Sequence, residues 1–194
     1  LAFDFNTNSY TSVGNAIFGS SLGFILMLAP LGFIIALNVG VAKMKESTLQ
    51  ILFWAFAGVM GLSLSSIFIV YEMPSIARVF FISAGAFGAL SLYGYTTKKD
   101  LTGWGSFLFM GLIGILIASI VNMFMASSAL QFGISVIGVL VFAGLTAYDT
   151  QRIKAMYYDG SGQEGKKAIM GALSLYLDFI NLFIMLLQLF GQRR

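Results

Sequence analysis

Two aspartates stand in apolar stretches of this sequence, where a carboxylate has few structural uses. Asp149 ends the stretch LTAYD, and Asp178 lies near the middle of GALSLYLDFINLF, residues 171–183. A charge at the centre of a bilayer is unfavourable by at least ~2.5 kcal/mol, so such residues usually face a bundle interior or a hydrated cavity. Burial disfavours the charged form of a carboxyl group, and two carboxyls that meet titrate as one coupled pair. The chemistry expected of these residues is therefore reversible protonation without a histidine.

Each aspartate shares a helical stripe with other small and polar residues. With 3.6 residues per turn, the last apolar segment places on one face Gly171, Ser174, Asp178, Asn181 and Gln188. The segment before it does the same with Gln131, Ser135, Gly138, Thr146, Asp149 and Arg152. Two such stripes satisfy their polar groups most simply by facing each other or a common aqueous path. We therefore expect Asp149 and Asp178 to form a pH-responsive latch.

A simpler interpretation of the two stripes stays open. They could be hydrogen-bonded contacts between helices, with Asp149 paired to Arg152 three residues later. The two aspartates are also expected at different depths in the membrane. Asp178 lies 11 residues after Lys167, about 16 Å along a helix, whereas Asp149 ends its apolar run. They meet only if the start of the last helix stands in a hydrated vestibule. The last helix itself either crosses the membrane or stops inside it, and the terminal arginines favour a cytoplasmic end.

Composition identifies the elements that must position these residues. Hydrophobic residues make up 58% of the 194 positions and charged residues only 10%, whereas soluble domains carry about a quarter charged residues. This predicts an all-α integral membrane protein surrounded by the lipid bilayer. The absence of cysteine and histidine excludes thiol nucleophiles, disulfides, haem ligation and the usual zinc sites. We expect no bound cofactor and no nucleic acid partner.

Six apolar stretches are long enough, at about 20 residues, to cross the hydrocarbon core of a bilayer. They cover residues 20–42, 49–71, 75–96, 103–125, 128–149 and 168–190. The connections between them are too short to hold a soluble domain. We therefore expect residues 1–194 to form one transmembrane domain, a six-helix bundle preceded by a loop over residues 1–19.

Lysine and arginine predict the orientation of this bundle. Alternate connections hold eight basic residues: Lys43, Lys45, Lys98, Lys99, Arg152, Lys154, Lys166 and Lys167. The opposite connections and the first 19 residues together hold only Arg78. The positive-inside rule places the first set in the cytoplasm and residues 1–19 outside it. Because the chain begins there without a signal-peptide pattern, we expect a first transmembrane helix that this sequence lacks.

The two aspartate-containing segments resemble a known family. LTAYDTQRIK at the end of one helix, with ALSLYLDFINLFIMLLQLFG as the final helix, is similar to the Bax inhibitor-1 family in a bacterial version. GALSLYGYTTKKDL at 88–101 looks like the middle segment of that family. The resemblance implies seven helices with the last one central, which agrees with a missing first helix. It also implies a bacterial inner membrane as the location.

The resemblance implies a function for the two aspartates. They correspond to a proton-sharing pair that governs a pH-sensitive calcium leak or proton–calcium exchange pathway, with Ca²⁺ held weakly and transiently by Asp149 and Asp178. Arg152, Ser174 and Asn181 would support the pair. A basic residue that contributes to the closed state in some members corresponds to Lys43 or, as the next candidate, Lys45.

Two other classes of function are alternatives to a leak pathway. The resemblance also implies a regulatory membrane protein that acts on a membrane-anchored AAA protease, or on stress and cell-death partners, through protein contacts. Intramembrane hydrolysis by two aspartates is chemically possible. The flanking residues here are TAYD and LYLD, however, and not the GxGD of intramembrane aspartyl proteases. We therefore expect no enzyme activity.

Overall fold

The computed structural model describes residues 3–4, 9–10, 21–41, 43–157 and 163–194. For residues 3–4, 9–10, 21–28 and 31 it describes the backbone alone. The chain divides into two compact units, Leu1–Val70 with Arg194, and Tyr71–Arg193. Both units are built from helices, which confirms the predicted all-α class.

The described residues of the amino-terminal unit form a short hairpin and three helices. Strands β1 (Phe3–Asp4) and β2 (Ser9–Tyr10) pair antiparallel. The helices are α1 (Ser21–Gly40), α2 (Glu46–Leu64) and α3 (Ile67–Val70). α1 packs against α2, and the ring centroids of Phe33 and Phe56 lie 6.5 Å apart. Apart from the hairpin, the loop predicted over residues 1–19 lies outside the described residues.

The stretch 49–71, predicted as one span, is interrupted near its end. The hydroxyls of Ser65 and Ser66 donate to the carbonyls of residues 62 and 63, at 2.6 and 3.1 Å. Such local bonds compete with the helical backbone pattern, so α2 ends at Leu64 and α3 begins at Ile67. Together the two helices still cover a candidate span, Glu46–Val70.

The carboxy-terminal unit consists of four long helices with short connections. They are α4 (Met73–Thr96), α5 (Thr102–Met125), α6 (Ser128–Tyr157) and α7 (Glu164–Phe190). Pro74 lies in the first turn of α4, where its missing N–H is not needed. α5 ends at Met125, because the next residue, Ala126, has a left-handed backbone (φ 49°) that stops the helix. α6 continues eight residues beyond its predicted span, because charged residues end an apolar run without ending a helix.

Within this unit α6 packs against α4, α5 and α7. Glycine permits the closest approaches, since a Cβ atom at Gly94 of α4 would collide with the backbone carbonyl of Ala147 in α6. A Cβ atom at Gly105 of α5 would lie 2.6 Å from the ring of Tyr148. α7 has the largest buried share among the candidate spans, in agreement with its predicted central position.

The last helix runs unbroken for 27 residues, about 40 Å at 1.5 Å per residue. Its carboxyl end is bound to the start of α4, where Glu72 N–H donates to the Gln192 carbonyl at 3.0 Å. Gln192 N–H in turn donates to Ser75 Oγ at 2.9 Å. α7 is therefore long enough for a full crossing. Arg193 lies beside Tyr71 at the start of α4, whereas Lys98 follows the other end of that helix. The position at the basic, cytoplasmic end that the charge of Arg193 favoured is therefore not observed.

The outer faces of the helices are apolar. Exposed large side chains include Phe81, Leu92, Phe107, Phe124 and Leu140. Five helical stretches among the described residues are long and apolar enough to cross a membrane, and they correspond to the last five predicted spans. α1 covers most of the first predicted span, residues 20–42. Such faces are stable against lipid and not against water. The protein is therefore an integral membrane protein.

Candidate functional site

α6 and α7 are antiparallel neighbours, and two glycines indicate their register. A Cβ atom at Gly138 would lie 2.8 Å from the Met185 sulfur, and one at Gly171 would lie 3.0 Å from Ile153. Each glycine therefore faces a residue at its own level on the other helix. The two contacts are 15 residues apart on α6 and 14 on α7, so the register holds over about four turns.

This register places the two aspartates about one turn apart. Asp149 lies four residues before Ile153, and Asp178 lies seven residues after Gly171, so both occupy the facing sides of their helices. Asp149 is level with Ser174, which precedes Asp178 by four residues, or about 6 Å along the axis. The depth difference expected from the apolar runs is therefore much reduced. We call Asp149 and Asp178 the acid pair.

Asp178 is the more enclosed member of the acid pair. Only 5% of its surface is exposed, and its Oδ2 has no hydrogen-bond partner among the described residues. The next residue, Phe179, packs edge-on against Phe80 and Phe87 of α4, with centroids 5.7 and 5.4 Å away. A buried carboxyl oxygen without a hydrogen bond is poorly solvated. Gain or loss of a proton therefore changes the interactions of Asp178 strongly.

Asp149 has a charged neighbour on its own helix and another acid on the facing helix. Its Oδ1 lies 3.7 Å from a guanidinium nitrogen of Arg152, whose side chain is 55% exposed, whereas the Asp149 side chain is 13% exposed. Asp178 of α7 lies about one turn from Asp149 along the facing helix. The two interpretations of the sequence are therefore not exclusive, since Asp149 belongs both to an ion pair and to the acid pair.

The other predicted site residues lie at different distances from the acid pair. Ser174 is half-buried at the level of Asp149. Asn181 follows Asp178 by one turn, and its side-chain amide donates to a carbonyl of its own helix at 2.8 Å. Lys43 is exposed in the turn after α1, within the amino-terminal unit. Its contribution to a closed state stays a prediction.

A second polar cluster joins α5, α6 and α7 farther along the same interface. We call it the amide cluster, and it consists of Asn122, Gln131, Ser135 and Gln188. The Gln131 amide donates to Gln188 Oε1 at 2.8 Å and accepts from Asn122 at 3.0 Å. Ser135 Oγ also donates to Gln188 Oε1, at 2.8 Å. The polar stripes of α6 and α7 therefore face each other here, as predicted.

Asn122 is the member of this cluster that the sequence stripes did not include. It lies in the apolar run IVNMFM of α5 and is buried. Besides its contact with Gln131, its Oδ1 accepts the backbone N–H of Ser127 at 3.0 Å. A single amide within an apolar run was the available signal, because such a group requires partners in a membrane.

The acid pair offers limited means of holding an ion. Among the described residues, no group of three or more histidine, cysteine, aspartate or glutamate side chains could hold a metal. Calcium prefers six to eight oxygen ligands, and two carboxylates supply at most four. The acid pair can therefore attract a cation and exchange a proton, but it does not form a tight cage.

Comparison with known proteins identifies the family. The family model described as "Inhibitor of apoptosis-promoting Bax1" matches residues 3–194. The chain is 51% identical to protein RP147 of Rickettsia prowazekii over 190 residues, 97% of this chain and 80% of that protein. It is also 51% identical to inner membrane protein YbhL of Escherichia coli K12 over 173 residues, 87% of this chain and 74% of YbhL. The match includes both members of the acid pair, and the chain belongs to the Bax inhibitor-1 family.

Proposed function

We propose that this protein is a pH-sensitive leak pathway for Ca²⁺, gated by a proton that Asp149 and Asp178 share. The observation that carries the proposal is the burial of Asp178 at the α6–α7 interface, with one carboxyl oxygen unpartnered among the described residues. Buried polar groups in proteins are nearly always hydrogen-bonded, and an exception calls for an explanation. A carboxyl group that exchanges a proton or meets a passing cation supplies one.

The charge on the acid pair is the quantity to which the gate responds. Two unit charges about 4 Å apart interact by about 4 kcal/mol at an effective dielectric constant near 20. Two ionised carboxylates therefore repel each other and attract a cation, whereas a shared proton weakens both effects. The pathway opens as pH rises and closes as pH falls.

Calcium is the cargo of this pathway, and the protein carries out no chemical reaction. Carboxylate oxygens suit Ca²⁺, and the hydroxyl of Ser174 lies at the level of Asp149. An ion must leave a pathway as readily as it enters, so weak coordination favours conduction. A pair of carboxylates meets this requirement better than a complete set of ligands.

Calcium uptake by liposomes that contain the purified protein tests the proposal. We expect uptake that increases with pH in the wild type and loses its pH dependence in Asp149→Asn and Asp178→Asn. Glu72→Gln is the matched control, because Glu72 is an exposed acid at the start of α4. Uptake with an unchanged pH profile in both aspartate variants would contradict the gate.

The same assay separates a leak pathway from a regulatory protein. Uptake no greater than in empty liposomes at every pH would contradict the leak pathway and favour action through a partner, as the alternative function requires. Copurification from native membranes then tests that alternative. Failure to recover a membrane-anchored protease or another membrane protein would count against it.

We also propose that the protein lies in a bacterial inner membrane with its basic loops in the cytoplasm. The name of the Escherichia coli relative supports the location, and the gathering of Lys98, Lys99 and Lys154 at one end of the unit supports the orientation. The chain has no native cysteine, so Lys99→Cys and Arg78→Cys can be labelled singly. A membrane-impermeant maleimide should label only Arg78→Cys in spheroplasts, and the reverse pattern would contradict this orientation.

A further inference from the structure

A polar cleft lies at the end of the carboxy-terminal unit that carries the α4–α5 connection. Its volume is about 660 Å³, and it is bounded by residues 98–102 on one side and by the last turns of α6 on the other. Lys98, Lys99 and Arg152 line it, together with the acid Asp100. Three cations against one anion make the cleft suitable for an anionic group.

Asp100 offsets only one of these three positive charges, and it has a local structural role. Its Oδ1 accepts the backbone N–H of Thr102 at 2.8 Å and so forms a local turn just before α5. Hydrogen bonds from the side chain and backbone of Thr102 hold the pKa of Asp100 below its usual value. Asp100 is therefore a fixed anion that faces the helix, and the net charge of the lining stays positive.

An apolar groove adjoins the polar cleft. Its volume is about 270 Å³, and its lining includes Leu90 of α4, Trp104 and Leu108 of α5, and Gly144 of α6. Tyr148 lines both the cleft and the groove. A ligand that fills both must therefore carry an anionic head and an apolar chain.

The connection that forms one wall of the cleft is fixed to α6. Gln151 Oε1 accepts the backbone N–H of Leu101, and Gln151 Nε2 donates to the Lys99 carbonyl, both at 2.8 Å. Lys154 Nζ donates to the Tyr95 carbonyl at 2.7 Å and lies 4.4 Å from the centroid of the Tyr95 ring. The cleft is therefore preformed, which limits the ordering that a ligand would have to impose.

The length of α6 sets the level of the cleft in a bilayer. Its 30 residues span about 45 Å, whereas the hydrocarbon core is about 30 Å thick and the whole bilayer about 40–45 Å. The final turns of α6 therefore stand among lipid headgroups. Tyr93, Tyr95 and Trp104 lie near the same level, as aromatic residues do at membrane interfaces.

We propose that the cleft and groove together bind an anionic phospholipid, with its phosphate headgroup among Lys98, Lys99 and Arg152 and one acyl chain along Trp104 and Leu108. Charge complementarity selects the headgroup, and the adjoining apolar groove selects a lipid over a soluble anion. A phosphate oxygen accepts well from both ammonium and guanidinium groups.

Occupation of this site has a consequence that rests on the proposed function. Arg152 lines the cleft and is also the ion-pair partner of Asp149, at 3.7 Å. A headgroup that draws Arg152 into the cleft weakens its contact with Asp149. Anionic lipid would therefore alter the pH response of calcium uptake, whereas binding of the lipid itself does not depend on any gate.

The two tryptophans of the chain, Trp54 and Trp104, provide a direct test of binding. In the full chain with Trp54→Phe, fluorescence reports on Trp104 alone. The protein is placed in phosphatidylcholine nanodiscs that contain either brominated phosphatidylglycerol or brominated phosphatidylcholine at the same mole fraction. We expect stronger quenching of Trp104 by the brominated phosphatidylglycerol, because that lipid is concentrated at the site.

Charge variants show whether the preference arises in the cleft. Lys98→Gln and Lys99→Gln should each weaken the preference by roughly fivefold, the contribution of one basic residue near an anionic surface. Lys45→Gln is the matched control, as an exposed lysine in a different connection, and it should leave the preference unchanged. Equal losses in all three variants would overturn the proposal, because the preference would then arise from overall charge.

Two further results would also overturn the proposal. Equal quenching by the two brominated lipids would mean that no anionic lipid is selected. Loss of the preference when inorganic phosphate is added in excess over the lipid would assign the cleft to a free anion. Persistence of the preference under phosphate supports the lipid, and both measurements are independent of calcium uptake.

Discussion

The acid pair and the amide cluster lie along the same interface between α6 and α7 and differ in how their polar atoms are satisfied. In the amide cluster, Gln188 Oε1 accepts two hydrogen bonds, each 2.8 Å long. In the acid pair, Asp178 Oδ2 has no partner among the described residues, and the contact of Asp149 with Arg152 is 3.7 Å long. One cluster is neutral and joined by hydrogen bonds between its members, and the other is ionisable and incompletely paired.

This difference separates holding two helices together from responding to an ion. Hydrogen bonds between helices in a membrane contribute about 0.6 kcal/mol on average, and the amide cluster makes several of them. A buried carboxyl group without full pairing is unfavourable for stability. The proposed gate gives a reason for such a group in the acid pair. The two clusters should therefore respond in opposite directions to the same kind of substitution.

Replacing Asp178 with leucine should give the largest effect. The substitution removes an unsatisfied buried carboxyl group, so we expect the free energy of unfolding to rise by about 1–3 kcal/mol. Calcium uptake should fall by roughly tenfold or more, because an attractive charge of several kcal/mol is lost. Thermal unfolding in detergent and uptake by liposomes measure the two effects. Lower stability with normal uptake would contradict the gate and show that Asp178 serves to stabilise the fold.

The α4–α6 contact beside the acid pair should tolerate an added methyl group less well than the middle of the α6–α7 interface. Alanine at Gly94 meets the backbone carbonyl of Ala147, two residues before Asp149, and should destabilise the protein by about 1–3 kcal/mol. Alanine at Gly138 meets the flexible Met185 side chain, and thermal unfolding should show a smaller loss. Gly85→Ala, with no atom within 4 Å of the added carbon, is the control. Equal losses at Gly94 and Gly85 would contradict this helix crossing.

Replacing Gln188 with leucine should have the opposite sign to the change at Asp178. The substitution leaves Gln131 and Ser135 without their shared acceptor, so we expect the free energy of unfolding to fall by about 1–2 kcal/mol. Calcium uptake should keep its pH dependence. Unfolding and uptake measured together test this, and a pH response lost with Gln188 would show that the amide cluster belongs to the gate.

Replacing Arg152 with glutamine should have the smallest effect on stability. The guanidinium group is more than half exposed, and exposed ion pairs contribute about 0.2–1 kcal/mol. The change in unfolding free energy should therefore stay below about 1 kcal/mol, measured by thermal unfolding at low and high salt. A larger loss would mean that Asp149 requires this partner to be buried stably.

The helices were predictable because apolar runs of membrane length leave few alternatives. The boundaries of the helices were less predictable. A charged residue ends an apolar run in the sequence, whereas the end of a helix depends on local hydrogen bonds. The break at Ser65 depends on hydroxyl groups that an apolar average does not register. α6 continues past Asp149 to Tyr157, because polar residues can extend a helix that has already formed.

The acid pair was predictable in its residue types but not in its geometry. Periodicity put Asp149 and Asp178 on polar stripes, and the resemblance paired them. Their relative level depended on the register of α6 against α7, which is set by the contact of Gly171 with Ile153. A contact between helices leaves no trace in the hydropathy of either one. Asn122 was missed for the same reason, because its side-chain partner Gln131 lies on another helix.

Infrared difference spectroscopy across a pH series tests most directly whether the acid pair shares a proton. The carboxyl stretching band that disappears in Asp178→Asn reports protonation of Asp178 itself. We predict that Asp149→Asn shifts the pH midpoint of this band, whereas Glu72→Gln leaves it in place. An unchanged midpoint in Asp149→Asn would show that the two aspartates titrate independently and would contradict the proposed gate.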